Sequence, residues 1–108
     1  MKLLWYHDAS DDLDEIYDYY VTLNPRAAAL LYNSILDEAE ILRTHPRIAK
    51  KEQFLEGLPT EYRSLVVAKG KYKLVYYIEK ECVYIVYIFS CRLNPSTLIN
   101  TILKRTTR

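Results

Sequence analysis

Glycine is nearly missing from this chain, with only Gly57 and Gly70 among 108 residues. That excludes a glycine-rich phosphate loop and a dinucleotide fingerprint, both of which need several glycines within a few positions. Two histidines and two cysteines, at no recognised metal spacing, give no basis for a metal centre. No cofactor is expected. No run reaches the roughly 18 apolar residues of a membrane span, and the opening "LLWY" is too short for a secretory signal. If one extended strand joins Cys82 to Cys91, the two lie about 30 Å apart at roughly 3.3 Å per residue and cannot bridge. Free thiols without an export signal point to the cytoplasm, with no membrane partner.

What is present is a globular composition. Half of the residues are hydrophobic, and eleven are tyrosine. The length suits one domain, residues 1–108, with one core. The net charge of +1 hides a division: residues 1–44 carry three basic and nine acidic side chains, leaving twelve basic and five acidic in residues 45–108. Such asymmetry suits either a basic face for an acidic partner or an acidic helical face complementing a basic sheet edge.

Hydrophobic spacing predicts an α+β fold. Lys2 to Tyr6 reads as a strand. Asp8 is placed to cap a helix whose buried face is Ala9, Leu13, Ile16 and Tyr20. Asp11, Asp12, Asp14, Glu15 and Asp18 would turn an acidic side to solvent. Asn24 and Pro25 begin a second helix running to about Thr44, with Ala28, Leu31, Ile35, Ala39 and Leu42 as its apolar stripe. The short connection implies an antiparallel hairpin. Residues 47–60 look irregular. From Glu61 the period becomes two, and "EYRSLVVA", "KYKLVYYIE" and "CVYIVYIFS" form an antiparallel three-stranded meander that completes a sheet packed on the helices. Tyr72, Leu74, Tyr76 and Ile78 should face the helices. Lys73, Val75 and Tyr77 should lie on the open face. After Pro95, the spacing of Leu98, Ile102 and Leu103 suits a short terminal helix.

The stretches "ASDDLDEIYDYY", "NPRAAALLYNSI", "LRTHP", "YRSLVV", "YKLVYYIE" and "CRLNPSTL" occur in an order and spacing that resemble the RelE/ParE superfamily of bacterial toxins. The resemblance covers nearly the whole chain. It implies the toxin of a type II toxin–antitoxin system (a plasmid-stabilisation module) that inhibits growth through a basic sheet face and rim. A cognate antitoxin protein would neutralise it, and DNA would be met only through the antitoxin complex. Some members act on DNA gyrase. Others cut messenger RNA on the ribosome without a metal, using cations to stabilise the phosphorane and side chains to move protons.

By position in the resembling motifs, Arg63, Lys73 and Arg92 are the candidate catalytic cations of a ribonuclease. With Lys71 and Tyr77 they are also the candidate residues for binding target or antitoxin. The ribonucleases often carry a tyrosine, or a histidine and a tyrosine, after the last strand. Here that stretch reads "LNPSTLIN". This departure favours the gyrase branch. The retained cations keep the endoribonuclease as the alternative, and a degenerate member that only binds its antitoxin is a third reading.

Overall fold

The computed structural model describes residues 1–106. Strand β1 (Lys2–Trp5) leads into helix α1 (His7–Val21), followed by α2 (Pro25–Ala39) and the one-turn α3 (Ile41–Thr44). Strand β2 (Lys50–Lys51), a 3-10 turn (Gln53–Leu55), β3 (Arg63–Val67), β4 (Tyr72–Glu79), β5 (Cys82–Ser90) and α4 (Pro95–Thr106) complete the chain. The sheet order is β1-β5-β4-β3-β2. β1 runs parallel to β5, pairing Lys2 with Cys82 and Trp5 with Ile85, whereas every other pair is antiparallel.

The local rules explain most of this. Asn24 is the N-cap of α2, its side-chain oxygen accepting from the Ala27 N–H at 3.1 Å, with Pro25 at the first helical position. Asp8 is not the cap of α1. That place is taken by Tyr6, without a side-chain bond, and Asp8 lies inside the first turn, where a carboxylate complements the helix dipole. The expected single helix from Pro25 to Thr44 tightens at Glu40: its N–H donates to Asp37 O and its carbonyl accepts from Arg43 N–H, both three-residue spacings. With glycine so scarce, the β4–β5 turn places Lys80 and Glu81 at φ 48° and 63°, and the β3–β4 turn places Ala68 and Lys69 at 53° and 55°. These are left-handed conformations that cost a side-chain-bearing residue about 1 kcal/mol or more.

The two faces of the sheet carry separate cores. One packs Leu74, Tyr76, Val83, Ile85 and Ile88 against Ala9, Leu13, Ile35, Ala39 and Leu42 of the helices. Ala28 is also buried, but Leu31, expected in the stripe, is only half-buried. The other face is not open, contrary to the sequence reading. α4 lays Leu98 and Ile102 over Val75, Val86, Tyr87 and Phe89, with Leu55 and Tyr62 completing the cluster. A bulge between Val75 and Tyr76 of β4, opposite Val86 of β5, turns Val86 and Tyr87 to this same face. Covered on both sides, β5 has to be apolar without alternation, which is why it reads Ile-Val-Tyr-Ile-Phe.

Residues 47–60, expected to be irregular, supply the edge strand β2 and a buried carboxylate, Glu52. β2 escaped notice because two lysines on a two-residue edge strand leave no period to detect.

Candidate functional site

Successive residues of a strand point to opposite faces, and this separates the candidate cations. Arg63 pairs with Tyr76 in register and shares the face of the helical hairpin. Its guanidinium donates to Ala49 O at 2.7 Å and lies 3.4 Å from Glu61. The Tyr76 hydroxyl donates to Pro46 O at 2.6 Å. Together they clamp the segment that enters β2.

Lys73 is on the other face. Its ammonium meets Glu52 Oε1 at 3.0 Å and lies 5.9 Å from the centre of the Phe54 ring. Glu52, only 3% exposed, also accepts from Ser64 Oγ at 2.8 Å and from the Phe54 N–H at 3.1 Å. Burial pushes its pKa up. The hydrogen bonds from Lys73, Phe54 and Ser64 outweigh that and leave it below the ordinary carboxylate value. Lys73 is therefore one half of an internal ion pair.

Tyr77 belongs to an aromatic cluster. Its hydroxyl lies 2.7 Å from that of Tyr6, its ring stacks on Tyr84 with centroids 5.0 Å apart, and Tyr62 meets it edge-on. Burial, then the Tyr6 hydroxyl, raise its pKa and keep it neutral.

Arg92 and Lys71 come together at the end of the sheet. β5 finishes at Ser90, and the Cys91 N–H donates to Lys71 O at 2.9 Å, holding the two segments side by side. The same alternation that sends Cys91 towards Lys73 sends Arg92 towards Tyr72. Arg92, Lys71 and Lys69 surround a cleft of about 440 Å³ lined also by Tyr20 and Tyr72. Among the described residues no carboxylate pairs with any of these three cations. Burial and the neighbouring Tyr20 push Tyr72 up to about 12, against a smaller opposing effect of Arg92, so its hydroxyl stays a donor. Burial also raises the Cys91 thiol, with Lys73 opposing, which argues against a thiolate nucleophile.

The cleft continues into a second cavity of about 470 Å³ between α1, β5 and α4. β1 stops opposite Ile85, so the rest of β5 has no strand beyond it. Side chains fill the gap. Asp12 Oδ2 accepts from the Ile88 N–H at 3.0 Å, and Arg105 donates to Val86 O at 3.0 Å. Arg105 also binds Asp12 with two bonds of 2.7 and 2.8 Å and lies 4.7 Å from the centre of the Tyr87 ring. Asp12 was expected to face solvent with the other acids of α1. Nothing in its spacing separates it from them, because its partner lies 93 residues away. Lys69, Tyr20 and Glu52 were missed for a similar reason. The "KGK" turn showed the lysines, but their approach to Arg92 is tertiary.

The ParE toxin model, described as the ParE toxin of the type II toxin–antitoxin system parDE, matches residues 3–95. A solved structure titled the chromosomal ParDE TA system from P. aeruginosa is similar, with 25% identity and a TM-score of 0.70, covering 83% of this chain and 95% of that one. Among curated proteins none matches. The chain belongs to the ParE toxin family of type II toxin–antitoxin systems.

Proposed function

We propose that this chain inhibits DNA gyrase by binding it through the cationic end of the sheet, with Arg92 and Lys71 as the contacting residues, and that a cognate antitoxin neutralises it by covering that end. The observation that carries the reading is the dispersal of the cations. Arg63 is occupied on one face and Lys73 on the other, leaving Arg92 with Lys69 and Lys71 as the available group. A ribonuclease needs a proton acceptor among its cations. Of the titratable residues that line this cleft with the cations, Tyr72 and Cys91 are held in their protonated forms, and Glu15 lines only the adjoining cavity. Membership of the ParE family and the similarity to a ParDE system support the antitoxin as partner. The metal-independent endoribonuclease stays as a second reading because three clustered cations also suit RNA phosphates.

Cellular RNA and plasmid topology followed in one induced culture test this. Intact RNA with altered supercoiling and DNA damage is the expected result. Rapid messenger RNA cleavage with normal supercoiling overturns it in favour of the ribonuclease. Co-expression of the antitoxin should restore growth.

A further inference from the structure

The cleft at the end of the sheet is bipolar. Lys69, Lys71 and Arg92 supply three cations at one end, beside the hydroxyls of Tyr20 and Tyr72. The continuing cavity is lined by Tyr19 and Leu93, which are 63% and 47% exposed, and by the carboxylate of Glu15. The two cavities share Tyr20, Tyr72, Ser90 and Arg92 and so form one groove.

We propose that this groove is a mononucleotide-binding site, with the phosphate held by Lys69, Lys71 and Arg92 and the base laid over Tyr19 and Leu93, its exocyclic amino group donating to Glu15.

Donor count favours phosphate over a single carboxylate. The Tyr20 and Tyr72 hydroxyls bond each other, leaving one O–H between them; with it, one guanidinium and two ammonium groups offer more donors than two carboxylate oxygens can accept, whereas a terminal phosphate presents three oxygens with two negative charges. Glu38 is the acid nearest the turn. Its carboxylate is turned to the Ala68 N–H, at 3.0 Å, and to Ser34, so it holds the turn and leaves the lysines free. The Asp12 carboxylate is bound by Arg105. Glu15 is the acid left to read the base. The acidic side of α1, with Asp11, Asp14 and Asp18, disfavours a long polyanion and suits a ligand with one phosphate. The exposed apolar surface at Tyr19 and Leu93 is the kind of platform on which a base stacks.

The site uses Arg92 and Lys71, which the gyrase reading also uses, but it is measured on the isolated protein. NMR titrations with inorganic phosphate, AMP, UMP and a short single-stranded oligonucleotide test it. AMP should shift the amides of Lys69–Tyr72 and Ser90–Arg92 and bind more tightly than phosphate. UMP, which lacks an exocyclic amino group, should bind more weakly than AMP. Lys71→Gln and Arg92→Gln should each weaken AMP by about tenfold with unchanged thermal melting. Glu15→Gln should weaken AMP while leaving inorganic phosphate unaffected. Absence of saturable AMP binding overturns the proposal, as does AMP affinity that survives both cation substitutions. Oligonucleotide binding far tighter than AMP, with a steep salt dependence, also overturns it and makes the ligand a strand. Loss of AMP binding in Arg92→Gln with full gyrase inhibition by that variant would leave the nucleotide site standing and remove Arg92 from the gyrase contact.

Discussion

Glu52→Ala should destabilise the domain by about 3 kcal/mol. The carboxylate receives three hydrogen bonds, from Ser64, Lys73 and the Phe54 N–H, at 2.8, 3.0 and 3.1 Å. Bonds to a charged group contribute roughly 1.5–3 kcal/mol each, but the simple sum overstates the loss. The Lys73 side chain keeps 25% of its exposure and can turn its ammonium to water, so chiefly the Ser64 hydroxyl and the Phe54 N–H lose their acceptor. That places the cost at the lower end of the roughly 3–5 kcal/mol typical of a broken buried pair. Urea unfolding followed by far-UV circular dichroism reads it directly. The melting temperature should fall by roughly 10–20 °C for a domain of this size. Lys73→Met should be non-additive with Glu52→Ala, the double variant costing about 1–2 kcal/mol less than the sum. The pH dependence follows from the lowered pKa of Glu52. A carboxyl whose folded pKa lies below its unfolded one stabilises the fold above the unfolded value, and that stability is lost as pH falls through the folded value. Wild type should therefore weaken below the ordinary carboxylate range, and Glu52→Gln should show a shallower slope there. A cost under about 1 kcal/mol for Glu52→Ala, or additive effects of the two substitutions, would refute the pairing and return Lys73 to the pool of free functional cations.

Ile102→Ala, at a fully buried position of α4, should cost about 2–5 kcal/mol by chemical denaturation; a near-neutral result would mean that α4 does not cover the second face. Arg63→Ala should lower stability by about 1–3 kcal/mol through the carbonyl of Ala49 it leaves unpaired, and hydrogen exchange should quicken in residues 46–51 before the rest of the sheet. Glu81→Gly, relieving a φ of 63°, should raise stability by about 0.5–1 kcal/mol, seen as a higher urea midpoint. Arg92→Gln should weaken growth arrest with an unchanged melt; unaltered toxicity would exclude Arg92 from the target surface.

The helical hairpin was legible because its information is local: an apolar stripe on each helix, an Asn-Pro start for the second and a His-Pro stop after it. The meander was legible for the same reason, in runs of period two. The covering of the second face was not. α4 could be read as a short amphipathic segment, but its docking site is the face that alternation had assigned to solvent. Val75 and Tyr77 looked like the outward half of an ordinary strand. The residues of the proposed site divide similarly. Arg92 and Lys71 stand at the ends of periodic runs and drew notice. The meaning of Lys73 depended on Glu52, which sits in a stretch without period, and no local pattern announces a partner 21 residues away.

The parallel pairing of β1 with β5 has a consequence for the birth of the molecule. Lys2 meets Cys82 across 80 positions, and Asp12 of α1 meets Arg105 across 93. Contacts of such long separation form only after the intervening chain is made, and closing such loops is slow. On the ribosome the first strand waits for its partner until β5 has been made, and Asp12 waits until Arg105 has. A chain released before α4 leaves the second core uncovered and lacks the Arg105 half of the latch on the free edge of β5, so an aborted translation product should be harmless to the cell that made it.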